Sequence, residues 1–465
     1  MGSEKTIAIV LAAGQGTRMR SPIPKMLMPL AERPMVSWAV SAALEAEVDE
    51  CVVVVGHARE RVEAELASRF GDRVRTALQP EQRGTGDAVR CALEAIPETD
   101  GRVLIYYGDC PVVTPGVIRR LLDAAEGAEL ALLVSSLAEP KGYGRILRDA
   151  EGNVVGIREE RDCSPEERAI TEVNPGFYAV DLRFLRDAVR ALSSDNAQNE
   201  LYLTDVVAQA AARGRVRDVH ASFELLRGVN DRYELALAEA ILLRRTREAL
   251  MRSGVSMRNP DSIFVSADSV VEPGAELGAG VELRGRSCVR SGAIIDAGSI
   301  LTDVEVGEGA RVLPYTVATK SVIGPRAQVG PFAHLREKTE LGPESKIGNF
   351  TETKKTVVGA RSKVNHLSYV GDGVIGEDVN VGAGTIFCNY DGVKKHTTVL
   401  EDGVFIGSDS QLVAPVRVGK GAYVASGTTV TRDVPADALA LSRTKQENKE
   451  GFASRLRSQR KAQKG

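Results

Sequence analysis

Three short stretches in the first half of the chain carry residues suited to phosphate and a divalent cation. The first is Leu11-Ala12-Ala13-Gly14-Gln15-Gly16-Thr17-Arg18-Met19, followed by Pro24-Lys25. Glycines let backbone N–H groups approach a phosphate, and Arg18 and Lys25 supply positive charge. The same residues would also make a tight strand-to-helix turn with solvated cations. The spacing is neither G-x-x-x-x-G-K-[ST] nor G-x-G-x-x-G, so neither a P-loop nor a dinucleotide fingerprint applies. The second stretch is Gln79-Pro80-Glu81-Gln82-Arg83-Gly84-Thr85-Gly86. The amide of Gln79 both donates and accepts, as reading a pyrimidine edge requires, and Gly84-Thr85 could open a helix onto it. Taken alone, a glycine loop with a Thr N-cap is the simpler reading of those residues. The third is Tyr107-Gly108-Asp109. Mg²⁺ takes oxygen ligands, usually one or two protein groups plus substrate phosphates; an Asp that only satisfies nearby backbone N–H groups is the alternative.

The second half gathers Arg336, Lys354, Lys355, His366, Tyr369 and Asn380. His366 has apolar neighbours on both sides, Val364 and Leu367. An amine must be neutral to attack a thioester, so acyl transfer to nitrogen needs a base. An unperturbed imidazole titrates near pH 6.5 and contributes about 10²–10⁴-fold as a general base. A capped corner histidine is the structural alternative. His57 and His220 are read as structural.

The elements that must position these groups are of two kinds. Lys5–Leu11 and Cys51–Val55 are continuous apolar runs, as buried parallel strands require. Strands near Val74–Leu78 and Arg102–Tyr107 follow, with helices near Pro34–Ala46, Arg59–Phe70 and Thr85–Ala95 between them. Alternating strands and helices make a doubly wound α/β sheet with its ligand site at the carboxyl ends of the strands, and all three stretches fall just after a strand. From Val265 onward an aliphatic residue instead returns every six positions: Val271, Leu277, Leu283, Val289, Ile295 and Leu301, then several further runs to Val430. That period fits neither an α-helix nor a single alternating strand. It is the pattern of a parallel β-helix of hexapeptide repeats, three hexads to a coil, with glycines such as Gly274, Gly280, Gly292 and Gly298 at its corners. The frame is suspended over Phe387–Val399, where a projecting loop could carry binding groups.

At 465 residues the chain exceeds one core. The expected organisation is an α/β domain over 1–230, a joint helix over 231–254 ending at Gly254, a β-helix over 255–441, and a basic tail over 442–465, read as a solvated end. Lys plus Arg is 60 and Asp plus Glu 63, a net charge of −3, which leaves no footprint for nucleic acid or a membrane surface. Six scattered cysteines with no Cys-x-x-Cys pair, no apolar run of about 20 residues and no signal-peptide pattern point to a reduced, cytoplasmic compartment.

Leu11–Met19 with Pro24-Lys25 resembles the signature of sugar-1-phosphate nucleotidylyltransferases, with further matches at Gly142-Tyr143-Gly144-Arg145-Ile146, Glu159, Asn174 and Gly228-Val229-Asn230. The resemblance implies that Leu11, Ala12, Ala13, Gly14, Lys25, Gln79, Gly84, Thr85, Tyr107 and Gly108 hold a uridine nucleotide. It also implies that Asp109 and Asn230 hold Mg²⁺, that Gly144, Glu159 and Asn174 contact an amino sugar, and that Lys25 and Arg18 serve catalysis. Pro175 departs from the Thr of that pattern and removes one N–H. Gly348–Lys355, Ser362–Tyr369, Gly382–Ile386, Cys388–Gly392, Gly407–Asp409 and Gln411–Pro415 are similar to hexapeptide-repeat acetyltransferases. Together the halves resemble the bacterial bifunctional N-acetylglucosamine-1-phosphate uridylyltransferase/glucosamine-1-phosphate acetyltransferase family, with a Rossmann-like domain followed by a left-handed β-helix.

That likeness makes His366 the base and places Arg336, Lys354, Tyr369 and Asn380 on the amino-sugar phosphate. It places Ala383, Asn389, Tyr390, Ser408, Ser426 and Arg443 on acetyl-CoA. It implies a homotrimer that acetylates glucosamine-1-phosphate and then joins the product to UTP for cell-wall precursors. Ser426 replaces an expected Ala, and Glu337-Lys338 replaces an expected Pro-Gly after Arg336. Two other classes share these folds: a single-activity nucleotidylyltransferase with a regulatory or oligomerising β-helix, and a silent scaffold. The scaffold reading expects losses at Lys25, Asp109 or Asn230, and all three are present.

Overall fold

The computed structural model describes residues 5–214, 216–442 and 445–463. They form two compact units, Met1–Thr246 and Arg247–Gly465.

In the first unit, Thr6–Leu11 (β1), Glu50–Val55 (β2), Val74–Leu78 (β3) and Arg102–Tyr107 (β4) run parallel, with β1 between β2 and β4. The apolar runs of β1, β2 and β4 are continuous because helices cover both faces, whereas β3, at the sheet edge, reads VRTAL and is only partly buried. Ile7 and Ile9 pack with Ala88, Val89 and Ala92 of the helix Thr85–Glu94. Ala8 and Val10 point the other way, against Val36, Ala39 and Val40 of the helix Met35–Glu45 and Val62 and Leu66 of Arg59–Phe70.

Beyond β4 the sheet becomes mixed, a departure from simple alternation. Leu130–Ser136 (β5), Gly144–Arg148 (β6), Val154–Arg158 (β7), Glu172–Asn174 (β8), Tyr178–Asp181 (β9) and Arg217–His220 (β10) join it. The strand order is β3-β2-β1-β4-β9-β5-β8-β6-β7, with β10 on β5. β9 runs antiparallel to both β4 and β5. β6 and β7 are joined by a turn closed by Asp149 N–H to the Asn153 carbonyl (3.0 Å), and so short a link permits only an antiparallel pair.

The helix Arg232–Arg252 ends as Gly254 requires. Gly254 sits at φ +104°, its N–H donates to the Met251 carbonyl, and the Val255 N–H to the Leu250 carbonyl, which closes the last turn.

Among the described residues the second unit is a left-handed β-helix of three parallel sheets with 11, 10 and 9 strands, each strand paired with the third one on except at the end, where Tyr423–Val424 pairs with Leu439–Ala440. The six-residue frame is its interior: Val265, Leu283, Ile295, Val364 and Leu412, among the rest, are buried in one continuous core. Three frame positions lie hidden under other residue types. Ala318, Thr353 and Phe387 are each fully buried, and the Thr353 hydroxyl is satisfied by that of Thr339 at 3.0 Å. Phe387 therefore belongs to the interior strand Ile386–Cys388, and Val399 to Thr398–Leu400. The projecting loop is 389–397, shorter than the sequence suggested.

Corners hold positive φ, at Gly274, Gly280, Gly292 and Gly298 as expected. Tyr315, Phe332 and Phe350 also adopt it, a conformation strained for bulky residues. Their rings stack at 5.4 and 5.5 Å, an interaction that offsets part of the strain. The tail carries a helix, Phe452–Ala462, that is exposed throughout. Its Ala, Arg, Leu, Gln and Lys content favours one. Lys464 lies outside the described residues.

Candidate active sites

The first site is built where β1, β3 and β4 end. A cavity of about 260 Å³ is lined by Leu11, Ala13, Gly14, Lys25, Gln79, Gly84, Thr85, Tyr107 and Asp109. A second, of about 210 Å³, is lined by Tyr107, Asp109, Gly144, Glu159, Asn174 and Asn230. The two share Tyr107 and Asp109, so ligands filling both would meet there.

Local structure explains each placement. Gly16 takes φ +63°, and a Cβ there would lie 2.4 Å from the Cβ of Lys25. Lys25 is thereby folded inward at 8% exposure. Its ammonium donates to Asp109 Oδ2 at 2.5 Å and to Asn230 Oδ1 at 3.1 Å. Arg18 donates to the same Asn230 oxygen at 2.8 Å, while lining neither cavity. For two of the expected residues the backbone N–H is already engaged. The Ala12 N–H is spent on the Val54 carbonyl (2.9 Å) and the Gly108 N–H on the Leu11 carbonyl (2.9 Å), and neither residue lines a cavity.

Gln79 is buried, and its Nε2 donates to the Gly84 carbonyl (3.1 Å) and to Asp87 Oδ2 (3.0 Å). Both donors are taken, so what it can offer a base is its carbonyl oxygen, the partner a uracil N3–H needs. Gly84, not Thr85, caps the helix. It sits at φ +106° with the Leu201 carbonyl 2.6 Å from where a Cβ would stand. The Thr85 hydroxyl instead accepts the Leu203 N–H at 3.2 Å.

In the second cavity, Gly144 of β6 faces Glu159 just past β7 and Asn174 of β8. A Cβ on Gly144 would lie 2.8 Å from Ile157 Cγ2 and 3.6 Å from Glu159 Oε2. Burial holds the Glu159 carboxyl above its usual 4.5, opposed by the Thr204 hydroxyl that donates to it at 3.1 Å. Asn174 donates to the Tyr178 hydroxyl (2.6 Å) and accepts the Gly176 N–H (3.0 Å). Sequence reasoning assigned no role to Gln82, Glu200 or Gly176. The first two line the first cavity, and Gly176 lies under Tyr107, whose ring is 2.1 Å from where a Cβ would stand. Gln82 stood inside a stretch already singled out; Glu200 carried no local signal.

The second candidate site lies on the β-helix. His366 is exposed, and its Nδ1 is 2.8 Å from Asn349 Oδ1, one coil away. A carbonyl oxygen can only accept, so Nδ1 carries the proton and Nε2 is the basic nitrogen. Asn349 lies within the Gly348–Lys355 stretch, where its spacing to His366 gives it no role of its own. Arg336 pairs with Glu352 (2.8 Å) and Lys354 with Glu337 (3.1 Å). Tyr369 and Lys354 belong to paired strands of one sheet. Asn380 lies on another, beside Lys363 and Phe405, so one chain does not set all the expected sugar-binding groups on one face.

Asn389 is buried and donates to Asp372 Oδ2 at 2.5 Å. Its loop is pinned by Asp391, whose Oδ1 accepts the N–H groups of Val393 and Lys394 and whose Oδ2 meets His396 Nε2 at 2.6 Å. The Lys394 N–H first, then His396 and the Val393 N–H, hold the Asp391 carboxyl well below the usual range. Tyr390 is 60% exposed. The Ala383 carbonyl accepts the Asp409 N–H, and the Ser408 carbonyl the Gly427 N–H. Ser426 abuts Gly407. Arg443 lies outside the described residues.

These two sites on these two folds define a nucleotidyltransferase joined to a hexapeptide-repeat transferase. Residues 8–205 match the MobA-like NTP transferase domain family, and residues 397–432 the bacterial transferase hexapeptide family. Near-full-length relatives narrow this further. The bifunctional protein GlmU of Sorangium cellulosum is 56% identical, over 98% of this chain and 97% of its own. Those of Pelobacter propionicus (46%, over 98% and 99%) and Kineococcus radiotolerans (47%, over 96% and 91%) are also similar. The chain belongs to the bifunctional GlmU family.

Proposed function

We infer that the chain catalyses two successive transfers. Glucosamine-1-phosphate takes an acetyl group from acetyl-CoA on the β-helix, and N-acetylglucosamine-1-phosphate then attacks UTP in the α/β unit, giving UDP-N-acetylglucosamine and pyrophosphate. The observation that carries the reading is the pair of cavities meeting at Tyr107 and Asp109, one lined by Gln79, Gly84 and Thr85, the other by Gly144, Glu159 and Asn174.

For uridylyl transfer the nucleophile is already an anion at pH 7, so the task is to bring it onto the α-phosphate. Positioning and positive charge do that work. Gln79 and the Gly84–Thr85 turn hold the nucleotide, Gly144, Glu159 and Asn174 the sugar, and Lys25 and Arg18 the phosphates. Asp109 and Asn230 already converge on one cation, the Lys25 ammonium. That donor set fits Mg²⁺, an ion that when bound offsets phosphate charge.

For acetyl transfer, Nε2 of His366 removes a proton from the attacking amine, and Asn349 fixes the ring that does so. Arg336, Lys354, Tyr369 and Asn380 take the sugar phosphate. Ala383, Asn389, Tyr390, Ser408, Ser426 and Arg443 take acetyl-CoA. The division of the sugar-binding groups between two sheets supports a site completed by another copy, as in a homotrimer around a threefold axis. Among the described residues no helix is long and apolar enough to cross a membrane, and all six cysteines are free, which supports a reducing, cytoplasmic setting. The two activities separate genetically. Asp109→Ala abolishes UDP-sugar formation and leaves acetyl transfer nearly intact, and His366→Ala does the reverse. A variant that lost both, while still folded, would refute the two-site assignment.

A further inference from the structure

Lys354 is the less accessible of the two cations assigned to the sugar phosphate, with its side chain 16% exposed, and it is not idle. Its ammonium lies 3.1 Å from Glu337 Oε1. We propose that Glu337 is an internal competitor for the sugar-phosphate site, and that its carboxylate sets the affinity of acetyl transfer for glucosamine-1-phosphate by occupying Lys354. The inference rests on the assignment of Lys354 to the sugar phosphate.

Geometry makes Glu337 a competitor rather than a structural brace. Its backbone is held without its side chain: the Glu337 carbonyl accepts the Lys355 N–H (3.1 Å), and the adjoining Lys338 carbonyl accepts the Thr356 N–H (3.0 Å). The carboxylate itself is 40% exposed, so it can swing into water when a phosphate arrives. The Lys354 contact is the leading cause of a lowered Glu337 carboxyl pKa, so the carboxylate is charged at neutral pH. A phosphate dianion brings more charge to Lys354 than one carboxylate does and wins the exchange, but its net gain is reduced by the ion pair it must break. For a partly exposed pair that reduction is about two- to five-fold in affinity. Arg336, beside it in sequence, is held by Glu352 on the neighbouring coil (2.8 Å), so Glu337 is the contact that bears on Lys354.

The test uses the full-length protein. Glu337→Gln keeps the side-chain shape and removes the charge. The expected result is a two- to five-fold fall in KM for glucosamine-1-phosphate in acetyl transfer at unchanged kcat, with an equal fall in its Kd by calorimetry. Glu340→Gln removes the same charge from an exposed residue on the next strand and leaves both constants unchanged. In a Lys354→Ala background, Glu337→Gln has no further effect. An unchanged or raised KM in Glu337→Gln, or the same fall in the Lys354→Ala background, overturns the proposal while acetyl transfer itself persists. Failure of the wild-type protein to release CoA would instead sink the acetyl-transfer reading beneath it.

Discussion

Replacing Asn349 by Ala removes one hydrogen bond and leaves the coil intact, because the Asn349 carbonyl still accepts the Leu367 N–H at 3.1 Å. The lost bond is the one between Asn349 Oδ1 and His366 Nδ1. It selects the tautomer in which Nε2 is basic and holds the ring in one orientation. A neutral hydrogen bond of this kind is worth about 0.5–1.5 kcal/mol net, or roughly 2- to 12-fold in kcat at about 1.4 kcal/mol per decade. Loss of the base itself in His366→Ala costs about 10²–10⁴-fold. If Asn349 acts only through His366, the double variant is no slower than His366→Ala alone, because a positioning effect vanishes with the group it positions. Acetyl transfer is followed through the free thiol of released CoA, and UDP-sugar formation from supplied N-acetylglucosamine-1-phosphate serves as the internal control. A double variant slower than His366→Ala would show that Asn349 has its own contact with substrate. An Asn349→Ala variant with wild-type kcat would show that the hydrogen bond orients nothing.

Gly144→Ala places a methyl 2.8 Å from Ile157 Cγ2 and beside Glu159, so KM for N-acetylglucosamine-1-phosphate rises about tenfold or more while KM for UTP holds in steady-state assays. Glu159 is an acid whose folded pKa lies above its unfolded value, so the native state retains a proton that the unfolded state loses. The stability it contributes is present below the unfolded pKa and is lost as pH rises through the folded one. Thermal melts of Glu159→Gln therefore show a higher Tm than wild type at pH 8, a gap that closes as the pH falls toward 4.5, together with weakened sugar binding. Phe387→Ala empties a fully buried position in the β-helix core. It costs about 3–5 kcal/mol, read as a lower urea midpoint for the second unit, and impairs acetyl transfer through the adjoining Asn389 loop.

The hexad period was legible because each aliphatic does the same thing, and every framed residue is buried. Where tertiary packing admitted another type, the frame vanished from the sequence. Thr353 is tolerated because Thr339 satisfies it, and Phe387 was mistaken for loop because an insertion follows it directly. In the α/β unit the parallel strands β1, β2 and β4 were visible as apolar runs. The antiparallel β9 was not, since four residues between two partners carry no period long enough to read. The nucleotide side of the first site sits on turns whose glycines are forced by close contacts, as at Gly16 and Gly84, so motif and geometry coincide. Groups that act through a neighbour, such as Asn349 on His366 or Asp372 on Asn389, left no spacing signal, because partners one coil apart are joined only by the coil. Ala12 and Gly108 show the reverse case: they belong to the motif, yet their N–H groups are consumed by the sheet.

One chain is expected to perform both transfers. The most direct measurement incubates the purified full-length protein with glucosamine-1-phosphate and acetyl-CoA, without UTP, and follows CoA release. Stoichiometric CoA and N-acetylglucosamine-1-phosphate are expected, then conversion of that product to UDP-N-acetylglucosamine and pyrophosphate once UTP and Mg²⁺ are added. No release of CoA, with UDP-sugar formed only from supplied N-acetylglucosamine-1-phosphate, would contradict it and leave the β-helix without a catalytic role.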